Sequence, residues 1–165
     1  MVGEIEPVGA PGDGDGDGAD AGDPADGGGA DGTPTGDPTP DPGCLPIAAP
    51  NGSGHHNAGQ DCMNCHAAGG EGPLFTLGGT LFSSVGGTAP VAGATITVHP
   101  ATGADLALIT ASNGNFWSTQ ALTFPLTVGA NGCPSVRTMP NPVAADGAGC
   151  NGAGCHDAGS RIHLP

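Results

Sequence analysis

Two short stretches constrain this chain more than any other: Cys62-Met63-Asn64-Cys65-His66 and Cys150-Asn151-Gly152-Ala153-Gly154-Cys155-His156. Both end in Cys-His, with two residues between the cysteines in the first and four in the second. The segments around them, 44–71 and 141–165, are rich in Gly, Asn, Ala and His and show no sustained periodicity, so neither can fold on an apolar face of its own. The core available elsewhere is thin, because 165 residues carry only four Phe, one Trp and no Tyr.

Between the two stretches the chain reads as β. Ala94, Ile96 and Val98 alternate with Thr95, Thr97 and His99, the period of a half-buried strand. Thr80-Leu81-Phe82-Ser83 and Leu106 to Thr110 read as further short strands. Asn113-Gly114 is a hairpin signal leading into Asn115-Phe116-Trp117. Leu122, Phe124, Leu126 and Val128 alternate again, with Pro125 confining that strand to an edge, and Val136 to Met139 closes the sheet. Short strands between Gly and Pro turns predict a mainly β fold, a small antiparallel sandwich over 72–140 flanked by irregular segments. Gly79-Thr80-Leu81, Pro90 through Val98, and Thr110 through Phe116 together resemble a carboxypeptidase-regulatory-like (transthyretin-like) sandwich over about 60 residues. The resemblance implies a structural or adhesive module with no peptidase chemistry.

C-x-x-C-H is the spacing that lets two thiols add to the two vinyl groups of one haem, with the adjacent imidazole falling under the iron. On this reading Cys62 and Cys65 form the thioethers of one haem c and His66 is its proximal ligand. The longer second stretch resembles the variant attachment site of multihaem c-type cytochromes. That resemblance gives Cys150 and Cys155 to a second haem c and His156 to its iron. A zinc ribbon built from Cys62, Cys65, Cys150 and Cys155 is the rival, with both histidines left as bystanders. A thioredoxin-like dithiol would need a βαβ pattern, which is missing.

Each iron then needs a sixth ligand. Histidines beside haem motifs resemble the bis-histidine coordination of multihaem cytochromes, which singles out His56 or its neighbour His55, and His163, as candidate distal ligands. Spacing does not say which serves which haem. His99 has the parity of a surface residue, Met63 sits inside its own attachment loop, and Met139 is an alternative axial ligand. Arg137 and Arg161 are the chain's only cations apart from histidine and the N-terminus, hence the candidates to pair with haem propionates.

Residues 1–43 hold 11 of the 16 acidic groups and 7 of the 17 prolines. A segment so poor in large apolar side chains cannot offset its chain entropy, so it reads as a disordered acidic linker. Asp13 to Gly18 matches the first half of a calcium loop, but Pro24 stands where the bidentate Glu is needed. From Cys44 onward five acidic residues face two arginines, and there is no lysine. Nucleic acid and anionic membrane surfaces, which need basic patches, are therefore poor partners, and no nucleic acid and no direct membrane span are expected. Cys44 and Cys133 remain to form a disulfide in an oxidising compartment.

Two haems with filled coordination spheres and no distal acid/base constellation imply electron transfer rather than an enzyme, with no catalytic residue. The expected protein is an exported dihaem cytochrome c, periplasmic or on the cell surface, whose partners are redox proteins or another copy of itself. Haem attachment outside the cytoplasm calls for an export signal, yet Met1 to Glu6 has no basic or apolar region of that kind. The expectation is that a signal or lipoprotein sequence precedes it and could supply a lipid anchor. The alternatives are an adhesive or carbohydrate-binding surface module with structural haem or zinc, and a dihaem peroxidase or sensor with one open iron.

Overall fold

Alternating side chains build the larger of two antiparallel sheets. Ala94, Ile96 and Val98 turn to one face and are at most 1% exposed. His99, of opposite parity, is exposed and contacts Asp105 at 2.9 Å. A computed structural model describes residues 39–54, 56–152 and 155–165; residues 1–38, most of the acidic segment, lie outside the described residues, as do His55, Ala153 and Gly154. Six strands are formed: β1 (Leu77–Thr80), β2 (Thr95–Pro100), β3 (Leu106–Ile109), β4 (Asn115–Ser118), β5 (Leu126–Gly132) and β6 (Ser135–Thr138). One sheet has the order β3-β2-β5-β6 and the other pairs β1 with β4.

In the larger sheet Ile96 stands opposite Ala130, Val98 opposite Val128 and Pro100 opposite Leu126. Ile96, Val98, Leu126, Val128 and Ala130, together with Leu77, Leu81 and Phe116 from the smaller sheet and its margin, form a single apolar cluster. Val143, Cys150 and Leu164 complete it from the C-terminal segment. The flanking segments are thus knitted into the β unit. Cys44 is disulfide-bonded to Cys133, 89 residues away, and Leu45 N–H donates to the Asn131 side chain.

Three local expectations are corrected. The strand expected over Thr80 to Ser83 lies earlier, at β1, and Phe82 makes only isolated bridges, to Pro90 and His163. Pro125 does not make an edge: β5 begins just after it, at Leu126, and pairs on both sides, because the missing N–H falls outside the ladder. Asn113-Gly114 does form a tight turn, with Gly114 (φ 78°) donating to Ala111 O. The strands on either side of it, β3 and β4, belong to different sheets, so the turn is a crossover and not a hairpin.

All four residues of β1 are buried, although Gly78 and Gly79 contribute no side chain. The cover comes from outside the sheets. Gly78 N–H donates to Ala148 O and Gly78 O accepts from Cys150 N–H, so the C-terminal segment runs beside β1. A Cβ at Gly78 would lie 3.0 Å from Cys62 Cβ, and one at Gly79 would lie 2.8 Å from Phe116 Cζ and 2.9 Å from Cys150 Cβ. Both cysteine stretches therefore rest on the same two glycines.

Closing a loop of that length removes unfolded-chain entropy, so Cys44→Ser with Cys133→Ser is expected to cost about 4–5 kcal/mol, measured by urea unfolding of the oxidised protein and the variant. Gly79→Ala overpacks the seam between Phe116 and Cys150 and is expected to cost about 1–3 kcal/mol in the same assay.

Candidate functional site

The first Cys-His stretch forms the single helical turn α1 (Met63–His66). Asp61 Oδ1 accepts the Met63 N–H at 3.0 Å, satisfying one of the free donors at its start. The chain turns extended at Ala67, and Gly72 N–H returns to donate to Cys65 O at 2.9 Å. This close return needs glycine: a Cβ at Gly72 would stand 2.6 Å from the His66 ring. The return brings Pro73 O to 2.7 Å from His66 Nδ1. A carbonyl oxygen only accepts, so Nδ1 carries the proton and Nε2 of the neutral ring keeps its lone pair. That is the tautomer a metal-ligating histidine holds.

The His66 ring is fixed on its other side by Phe75, parallel to it at 3.9 Å between centroids, and Phe75 in turn lies 5.9 Å from Trp117. Across from His66 stands His56, with 6.1 Å between ring centroids and 27° between planes. This is too far for face-to-face contact. His56 is positioned through its backbone: its N–H donates to Gly54 O, and its carbonyl accepts from the Asn115 amide at 2.9 Å. Between the two rings opens a cavity of about 390 Å³, walled by Cys62, Cys65, Phe75, Phe116 and Trp117 among others.

A second cavity, of about 190 Å³, lies on the other side of Phe116, which walls both. Cys150, His156 and His163 line it, with Val128, Ala130, Met139 and Arg137. His156 Nδ1 is 2.9 Å from Ser160 O and His163 Nδ1 is 3.0 Å from Arg161 O. By the same reasoning both rings keep a bare Nε2. His163 is held in place by the bridge between its backbone and Phe82. Cys155 is exposed and does not wall this cavity.

The structure thus brings His56 together with Cys62, Cys65 and His66, and His163 together with Cys150 and His156. His55 lies outside the described residues. Met63 is absent from both cavity walls, packing instead near Gly149. Among the described residues no three or more His, Cys, Asp or Glu side chains gather as an ion-binding cluster. A haem iron asks the protein for only two donors, the porphyrin supplying the rest. Sequence reasoning missed Phe75, Phe116, Trp117 and the Pro73 carbonyl. The available signal was scarcity: three of the chain's five Phe and Trp residues wall the first cavity.

Burial pushes the Cys150 thiol up to about 12, with the neighbouring Cys62 and Cys155 thiols and the Asp61 carboxylate adding to the effect. Burial and the adjacent Asp61 carboxylate also raise Cys62. Both therefore stay protonated at neutral pH. No helix among the described residues is long and apolar enough to cross a membrane. No family model, curated protein or solved structure matches the chain.

In the cofactor-free chain, iodoacetamide at pH 8 should label the exposed Cys65 and Cys155 first and Cys150 last. A thiol ionising near 12 instead of 9.0 holds roughly a thousandth of the thiolate, a difference that mass spectrometry of the labelled peptides reads directly. The sign for stability follows. A raised Cys150 value stabilises the fold fully below about pH 9 and less and less from there towards 12.

Proposed function

We propose that the protein is a dihaem cytochrome c that carries electrons between partners of the cell envelope or exterior, with His56 and His66 as axial ligands at the first site and His156 and His163 at the second. The observation that carries this reading is that each of two separate cavities is lined by two histidines and by cysteine of its own Cys-His stretch. At the first cavity the residues present fit the group; at the second, Cys150, His156 and His163 line the walls and Cys155 does not. His66, His156 and His163 are each held by Nδ1 on a backbone carbonyl, and the walls are largely apolar, with Phe75, Phe116 and Trp117 at the first cavity. Protonated thiols at Cys62 and Cys150 suit thioether formation better than a thiolate metal site, for which Cys150 would have to ionise against its burial.

Haem supplies a reversible one-electron couple when bound. The chain's own contribution is orientation and exclusion. Phe75 and the Pro73 carbonyl fix the His66 ring, so little rearrangement accompanies a change of charge at the metal. Two imidazoles per site leave no open position for a substrate, which favours transfer over catalysis. The β part, in this reading, is a carboxypeptidase-regulatory-like sandwich serving as the rigid mount for both sites.

Protein matured in a host that attaches haem c should give two haems per chain by pyridine haemochrome and one after Cys62→Ala with Cys65→Ala. None in the parent chain overturns the reading. Carbon monoxide should leave the Soret band of the reduced protein unchanged, whereas His56→Ala should open one of the two sites and shift about half of the band.

A further inference from the structure

The two Cys-His stretches present their cysteines differently. In the first, Cys62 and Cys65 bracket one helical turn, with Cys65 N–H reaching Cys62 O at 3.4 Å, and this spacing sets both side chains on one face. Both line the first cavity, together with His66. The second stretch has four residues between its cysteines. Gly152 N–H donates to Gly149 O at 2.8 Å, and Cys155 N–H donates to Gly152 O at 3.2 Å. Along this path Cys150 is 4% exposed and lies on the wall of the second cavity. Cys155 is exposed and off that wall.

Both cysteines are anchored where they stand. Cys150 N–H donates to Gly78 O at 2.9 Å, and its Cβ packs beside Gly79, which fixes it against β1. Cys155 is followed by His156, whose Nδ1 contact with Ser160 O keeps the ring on the cavity wall. Asp157 then closes the loop, its Oδ1 accepting from Gly159 N–H at 2.8 Å and from Ser160 N–H at 3.1 Å. The bonds that aim His156 at the cavity belong to the same short segment that turns Cys155 away from it.

We propose that the second haem is bound through one thioether, to Cys150, and that Cys155 keeps a free, exposed thiol. The inference rests on the dihaem reading above and makes its two sites unequal, the first using both of its cysteines. Attachment adds the Cys150 S–H across one vinyl group. The sulfur bonds the vinyl carbon next to the ring, the hydrogen goes to the terminal carbon, and no oxidant or reductant is consumed. The other vinyl group stays intact and conjugated with the macrocycle.

The test maps thiols in protein matured in a host that attaches haem c. The chain is denatured, reduced, labelled with iodoacetamide and digested for mass spectrometry; thioethers withstand both reagents. Cys155 is expected to be labelled as fully as Cys44 and Cys133, which reduction of their disulfide frees as internal standards. Cys62, Cys65 and Cys150 should stay unlabelled. Cys155→Ser, a change at an exposed position, should keep two haems per chain after acid extraction, and Cys150→Ser should keep one. The labelling of the parent chain decides the matter even where Cys150→Ser, at a buried position, fails to fold. An unlabelled Cys155 in a chain carrying two haems, or loss of one covalent haem in Cys155→Ser, overturns the proposal and leaves the dihaem reading standing. Labelling of both Cys150 and Cys155 removes the second site from both, and a parent chain without haem removes both entirely.

Discussion

The two cysteine stretches meet because the two middle residues of the strand between them have no side chain. Gly78 and Gly79 let Cys62 approach one residue of β1 and Cys150 the next, so closely that a Cβ at either position would stand 3.0 Å and 2.9 Å from the cysteine Cβ atoms. The hydrogen bonds between Gly78 and the Ala148–Cys150 segment then hold the C-terminal stretch in place. Everything that makes the sites a pair follows from this seam. Phe116 fills the space behind Gly79 and becomes the partition between the cavities. The thin aromatic content of the chain is concentrated where the glycines leave room for it.

The irregular segments are ordered by backbone hydrogen bonds and not by apolar periodicity. Asp61 caps a helix of one turn, Asn115 reaches the carbonyls of Gly54 and His56 at 2.9 Å each, and Thr80 ties Gly59 to the sheet. Each of these bonds contributes modestly. Collectively they replace the apolar face that the segments lack. The imidazoles inherit their orientation from this frame, since their Nδ1 atoms bond to carbonyls of the same short loops.

How much of this was legible beforehand depended on the kind of signal. Period-two alternation at Ala94, Ile96 and Val98 located β2 and its buried face, because a sheet with one covered side imposes that pattern directly. The same rule could not say which strands were neighbours. Asn113-Gly114 marks a turn with certainty of conformation, but whether the chain turns within a sheet or between sheets is decided by long-range packing. Pro125 misled for a related reason, since one residue's offset separates a broken ladder from an intact one. At the sites, the Cys-His spacing located both stretches. Nothing in the spacing revealed that His56 faces His66, or that Pro73 and Phe75 fix the ring, because those contacts depend on a chain return enabled by Gly72.

The disulfide has a mechanical consequence. The described residues that precede β1 are fastened early: Asp41 N–H donates to Pro134 O, Asp41 Oδ2 accepts from Val136 N–H, and Cys44 is bonded to Cys133 at the turn between β5 and β6. A pull applied at Asp41 passes through these hydrogen bonds and the sulfur bridge into the β5–β6 corner of the larger sheet. The chain from Leu45 through α1, with His56, carries none of that covalent load, so the first cavity would keep its shape under the tension.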